Sequence, residues 1–204
     1  MGTLRGVDLA CRRGDRVVFQ GLQFSLGAGE LAWLRGRNGS GKSSLLRLAA
    51  GLASPLRGEL TWDDAPLARS EAFRRTRRFI GHANGLQDEL TVGESLAFCA
   101  ALAGAPGARI VPALRAFGLE SLADAPVRTL SQGQRRRAAL ATLGLSEEPG
   151  VWLLDEPFDA LDAEAAQRLQ SLIASHRARG GSVLLAAHGE ALQVPPTQVI
   201  DLSA

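Results

Sequence analysis

The sequence predicts an α/β domain with a mainly parallel sheet and a small antiparallel β subdomain, and three observations carry that expectation. Short apolar segments alternate with stretches of helical period over most of the chain, the pattern of parallel strands joined by helical crossovers. The first 30 residues differ: VVFQGLQFSL (17–26) nearly alternates apolar with polar side chains, and GELTWDD (58–64) follows suit. Such alternation suits antiparallel strands with one solvated face. Lastly, a glycine-rich stretch, GRNGSGKSS (36–44), lies between a strand-like and a helix-like segment.

The strand candidates are LAWLRG (31–36), RRFIGHA (77–83), VWLLDE (151–156) and SVLLAAH (182–188), each apolar and ending near a polar or glycine-rich turn. Helical period follows Gly41 in KSSLLRLAAGL and returns over 92–103, 109–117, 133–145 and 163–178. GAPGA (104–108) reads as a turn within the central helical region, not as a linker. At 204 residues the chain is expected to be one domain. Its 46% hydrophobic content and mean hydropathy of +0.02 suit a soluble protein. No apolar run approaches the roughly 20 residues that span a bilayer. The first residues, MGTLRGVDLACRRGDR, contain no signal-like apolar segment, so a cytosolic chain is expected. Cys11 and Cys99 have no paired spacing and no histidine cluster beside them, so they read as two reduced thiols.

A net charge of +2 is too small to argue for nucleic acid, and none is expected as a partner. The kind of cation says more. Of 23 basic residues 22 are Arg, and the single Lys is Lys42. That one ammonium falls inside GRNGSGKSS, which fits G-x-x-x-x-G-K-[ST] between a strand and a helix. Glycines let backbone N–H groups converge on phosphate oxygens, and a helix N-terminus adds positive potential. The expected nucleotide contacts are therefore Gly36, Arg37, Asn38, Gly39, Ser40, Gly41, Lys42, Ser43 and Ser44. Lys42 would reach the β- and γ-phosphates, and the Ser43 hydroxyl would ligate Mg²⁺.

VWLLDEP puts Asp155 and Glu156 at the C-terminal end of a strand, where open α/β sheets bind ligands. Asp155 would hold Mg²⁺, directly or through water, and Glu156 would polarise the attacking water as general base. LSQGQRRR (130–137) sits just upstream as a polar loop with one glycine, running into three arginines that start a helix. Nothing in it is an obvious nucleophile, base or metal ligand. It reads as a phosphate contact.

Taken together, GRNGSGKSS, LSQGQRRR, LLDEP, FDALD and a strand-closing His188 resemble, in order and spacing, the nucleotide-binding subunits of ABC transporters. The resemblance covers essentially the whole chain. It implies a P-loop NTPase core with a helical subdomain at about 84–135, ATP and Mg²⁺ as ligands, and ATPase activity. In that family two copies pair head to tail, so the signature residues Leu130, Ser131, Gln132, Gly133 and Gln134 would contact the γ-phosphate held by the other copy. Gln132 replaces the glycine of the commonest signature. Asp159 and Asp162 match the loop that links the two sites, and His188 matches the histidine that contacts the γ-phosphate and positions water.

Two positions depart from the family pattern. Where an aromatic residue usually stacks on adenine, alignment through Gly14 gives Arg13, whose guanidinium plane can stack on a base; Phe19 is a second candidate. Where the family has a glutamine that senses Mg²⁺ and the membrane partner stands His82, with Gln87 displaced nearby. His82 is therefore a candidate Mg²⁺ contact beside Ser43 and Asp155. This substitution, the short chain and GHANGLQDELTVGESLAF (81–98) are similar to the ATP-binding subunits of the bacterial cytochrome c maturation system, described as a haem exporter. That likeness implies an integral membrane subunit as partner, haem handled by partners and not bound directly, and a peripheral place on the cytoplasmic face of the inner membrane. Another ABC importer or exporter ATPase is the alternative, and a soluble ABC-type ATPase a further one. RRTRR (74–78) reads as a solvated or interdomain face.

Overall fold

The computed structural model describes residues 2–104, 109–187 and 194–203. Two sheets organise it. Strands β1 (Leu4–Arg13), β2 (Arg16–Leu26), β4 (Arg57–Trp62) and the two-residue β5 (Ala65–Pro66) form an antiparallel sheet in the order β2-β1-β4-β5. Strands β3 (Leu31–Arg35), β6 (Arg78–Ile80), β7 (Val151–Asp155), β8 (Ser182–Ala186) and β9 (Gln198–Asp201) form a second sheet, ordered β6-β7-β8-β3-β9. All its pairings are parallel.

β7 and β8 are buried at every position, because both faces of the parallel sheet are covered, and that is why they read as unbroken apolar runs. Successive side chains feed different cores. Val151, Leu153, Leu184 and Ala186 pack with the antiparallel sheet and helix α1 (Lys42–Ala49). Trp152, Leu154, Val183 and Leu185 pack instead with the helical layer. That layer comprises α3 (Val92–Leu102), α4 (Ile110–Ala116), α5 (Gln132–Ala141) and α6 (Ala163–Ala178). A short α2 (Glu71–Thr76) precedes β6 and anchors Phe73 in the first core.

Helix starts are set by side chains that satisfy free N–H groups. Thr91 and Glu94 form a reciprocal capping box on α3, and Ser131 and Gln134 form another on α5. Asp162 Oδ1 accepts from Ala165 N at 2.7 Å and starts α6. The helical run expected over 133–145 begins at Gln132 and tightens into a 3₁₀ turn at Thr142–Leu145. Cys11 and Cys99 are free thiols, Cys11 in the first core and Cys99 packed against the second. Of the expected turn at 104–108, residues 105–108 lie outside the described residues.

Candidate nucleotide site

β3 delivers the chain into the glycine-rich loop, and α1 takes it away at Lys42. Gly41 caps α1 with φ 104°. A Cβ there would lie 2.8 Å from Phe19 Cδ1 and 3.1 Å from Val18 Cγ2, so both conformation and packing demand glycine. Ser40 N donates to Arg37 O at 3.1 Å and closes the loop on itself. Lys42 is only 8% exposed. Its Nζ donates to Gly36 O at 2.8 Å and to Arg37 O at 3.4 Å, which fixes the ammonium within the loop. Ser40 Oγ is buried without a partner among the described residues.

The carboxylates arrive two strands away. β8 lies between β3 and β7, which sets the two strand ends about 10 Å apart at ordinary strand spacing. Asp155 ends β7 at 5% exposure. Glu156 then adopts φ 47°, a left-handed conformation that costs a non-glycine residue about 1–3 kcal/mol. Its N–H donates to Ala186 O at 2.8 Å. The turn brings Glu156 to a cavity of about 220 Å³ shared with Asn38, Gly39, Gly41, Lys42, Ser43 and Ser44. Arg13 and Val18 complete its lining from the antiparallel sheet.

This placement separates the two adenine candidates. Phe19 is 8% exposed and supports Gly41 from within the first core, so it is not free to stack on a base. Arg13 is exposed, at the β1–β2 turn, and lines the cavity. Of the expected Mg²⁺ set only Ser43 lines the cavity; Asp155 is buried directly before Glu156, which does line it, and His82 is exposed on the segment after β6. Among the described residues no three His, Cys, Asp or Glu side chains form a metal-holding group. Mg²⁺ keeps waters and phosphate oxygens as most of its ligands, so a hydroxyl and one carboxylate are all the protein need supply. The buried, unpartnered Ser40 Oγ, the glycine cradle and the single ammonium fit a nucleotide phosphate chain.

The signature stretch lies elsewhere on the chain. Leu130 is buried in the helical core, and Ser131 and Gln134 cap each other: Gln134 N donates to Ser131 Oγ at 3.2 Å, and Ser131 N to Gln134 Oε1 at 2.8 Å. Gly133 approaches the loop after Glu156 so closely that a Cβ would stand 3.0 Å from Ala160 O. None of Leu130, Ser131, Gln132, Gly133 or Gln134 lines the cavity. In the same loop Asp159 N donates to Glu156 O at 3.2 Å, and Asp162 is occupied in capping α6. His188 lies outside the described residues.

One residue of the site goes unnoticed in the sequence. Arg136, the middle of three arginines, is 5% exposed. Its Nη2 donates to Asp155 O at 2.8 Å and Glu156 O at 2.6 Å, while Nη1 donates to Gly81 O at 2.8 Å and Asn84 Oδ1 at 3.2 Å. The available signal was helical phase. Leu140 and Leu143 share its face at i+4 and i+7 and are both buried, so Arg136 has to point inward.

A family model for ABC transporters matches residues 19–159, which include the phosphate loop, the signature and the carboxylate turn. The chain belongs to the ABC transporter ATP-binding family. Among relatives, the cytochrome c biogenesis ATP-binding export protein CcmA of Aromatoleum aromaticum is 47% identical, over 98% of this chain and 95% of its own length. The protein of the same name from Cupriavidus necator is 46% identical over 91% of this chain and 82% of its own. A solved structure described as the ATP-binding subunit of an ABC transporter superposes with a TM-score of 0.81 at 31% identity, covering 91% of this chain and 79% of that one. Identity of 46–47% over 91–98% of the chain places this ABC ATPase in the cytochrome c biogenesis group, as the residues at 81–98 led one to expect. Among the described residues, no helix is long and apolar enough to cross a membrane.

Proposed function

We propose that the whole chain acts as one cassette, hydrolysing ATP between two head-to-tail copies and thereby driving the export of haem, or the release of a haem-loaded chaperone, in c-type cytochrome biogenesis. The observation that carries the catalytic part is the cavity itself. One ammonium and the phosphate-loop hydroxyls line it together with a single strand-end carboxylate. The loop N–H groups and Lys42 hold the β- and γ-phosphates, and Arg13 stacks on the base. Ser43 and Asp155 would hold Mg²⁺, which neutralises phosphate charge when bound. Glu156 takes a proton from the attacking water, a contribution on the order of 10²–10⁴-fold. His188 contacts the γ-phosphate in the same reading.

The signature residues stay outside that cavity in their own chain. A second copy completes each site by presenting Ser131, Gly133 and the start of α5 to the γ-phosphate, with Asp159 and Asp162 at the seam between sites. The helical region at about 84–130 forms the face toward an integral membrane subunit, with His82 near that contact, on the cytoplasmic side of the inner membrane. The names of the relatives support the biological role.

Replacing the chromosomal gene with one encoding Glu156→Gln tests both parts. The variant keeps nucleotide binding and accumulates as an ATP-bound dimer, because the amide preserves shape but takes no proton. Holo c-type cytochromes disappear on haem staining, while b-type cytochromes and growth on fermentable carbon persist. Normal c-type cytochromes in that strain, with no second gene copy, would remove the cytochrome role and leave the ATPase.

A further inference from the structure

We propose that Arg136 is a positioning residue for hydrolysis: its guanidinium holds the turn that presents Glu156 and ties that turn to the segment at 81–84. The inference rests on the reading of Glu156 as the base. Four acceptors from two chain segments converge on one fork, two backbone carbonyls of the catalytic turn on Nη2, and Gly81 O with Asn84 Oδ1 on Nη1. Glu156 sits in the left-handed region at φ 47°. Such a conformation persists only where surroundings over-determine it, and the carbonyls of Asp155 and Glu156 are fixed by Arg136 on one side of the turn.

The chemistry of the position argues against simple packing. Burial pushes the Arg136 pKa down, and the carboxylates of Asp159, Asp155 and Glu156 offset that push. Its Nε is buried without a partner among the described residues. A buried ion with an unused donor is a poor filler, since well-packed apolar residues of similar volume are often as stable. What an apolar residue cannot do is bridge two segments with paired, directional donors. Lys cannot do so either: one nitrogen can serve the turn or the 81–84 segment, but it lacks a planar fork that spans both. The 81–84 segment carries His82, exposed beside the anchored Gly81 carbonyl. Movement of that segment therefore pulls on the same guanidinium that holds the catalytic turn.

The test uses the purified 204-residue chain and five variants: Arg136→Met, Arg136→Lys, Arg136→Ala, Asn84→Ala and the Asn84→Ala/Arg136→Met double. A fluorescent ATP analogue reads binding, and phosphate release reads turnover. Arg136→Met is expected to bind the analogue within about threefold of wild type and to lose kcat by about 30–100-fold, the cost of an ångström-scale misplacement. Arg136→Lys recovers part of that loss, and Asn84→Ala lowers kcat modestly but adds nothing in the Met background. Ethylguanidinium restores turnover to Arg136→Ala and leaves wild-type turnover unchanged. Wild-type kcat in a folded Met or Lys variant would overturn the proposal, and equal losses of binding and turnover would reduce Arg136 to a structural role. Fully additive Asn84 and Arg136 effects would overturn the tie to the 81–84 segment. If the Met variant does not fold, the Lys variant and the ethylguanidinium response decide. Glu156→Gln, assayed in parallel, separates failure of the underlying reading: if it turns over ATP normally, Glu156 is not the base, whatever Arg136 does.

Discussion

Acidification should destabilise this protein through one buried imidazole. His176 on α6 is 0% exposed, and its ring stacks on Trp152 at 3.7 Å between centroids and 8° between planes. Nε2 lies 3.0 Å from Gly150 O, and Nδ1 is buried with no partner among the described residues. The neutral tautomer with Nε2–H donating to Gly150 O satisfies this slot. Burial lowers the pKa from 6.5 to about 4; Arg179 and Arg78 act in the same direction, and the backbone contacts at Gly150 and Ser182 oppose it. The folded value is below the unfolded one, so the unfolded chain binds more protons between about pH 4 and pH 6.5. Stability from His176 is therefore complete above that window and falls as pH drops through it. Between about pH 7 and about pH 5 the loss comes to about 2 kcal/mol. Urea unfolding followed by circular dichroism at both pH values, on wild type and His176→Phe, isolates the term. Phe keeps the stack on Trp152 and has no proton to gain. Other groups titrate equally in both proteins, so wild type should lose about 2 kcal/mol more than the variant. Equal losses would show that His176 titrates normally and that the slot is not dry.

Two further outcomes concern the site. Lys42→Arg should fold normally yet lose about a hundredfold in ATP turnover, because the forked guanidinium cannot occupy the slot where Nζ meets Gly36 O; near-native turnover would mean that the loop has been misread. Mixing Ser131→Arg with Lys42→Ala chains should recover activity that neither has alone, since one composite site then carries no lesion. Ser131 also caps α5, so its loss costs about 1 kcal/mol of stability and folding must be checked first. An interchain disulfide between Asn38→Cys and Ser131→Cys chains would separate strict coupling of the two sites from absence of the sandwich.

How much of this was legible in the sequence follows from where each structural decision is made. β3, β7 and β8 were readable because strands covered on both faces need no alternation, only a short apolar run with a turn after it. The phosphate loop was readable because the demand for glycine is local, set by φ at Gly41 and the side chains beneath it. β9 was not, since QVID is short and its place is fixed by distant contacts: Thr197 Oγ1 bonds the backbone of Leu31, and Gln198 pairs with Ala32. α2 was hidden because RRTRR presents only charge, while the helix is held by one apolar residue, Phe73.

The harder cases are Phe19 and Arg136, where residue type pointed away from the role. An aromatic side chain near a nucleotide loop suggests a base platform, but β2 turns Phe19 inward, and the vacancy left by the missing Cβ of Gly41 is what it fills. Three successive arginines suggest a solvated face, yet on a helix of 3.6 residues per turn they cannot all face water once Leu140 and Leu143 are buried. Phase alone therefore makes Arg136 a buried cation, and a buried cation needs acceptors. Its acceptors lie 55 and 52 residues upstream and 19 and 20 residues downstream, and no local pattern can name them. The need for partners is written in the helix; the partners are chosen by the sheet, which sets the ends of β6 and β7 side by side.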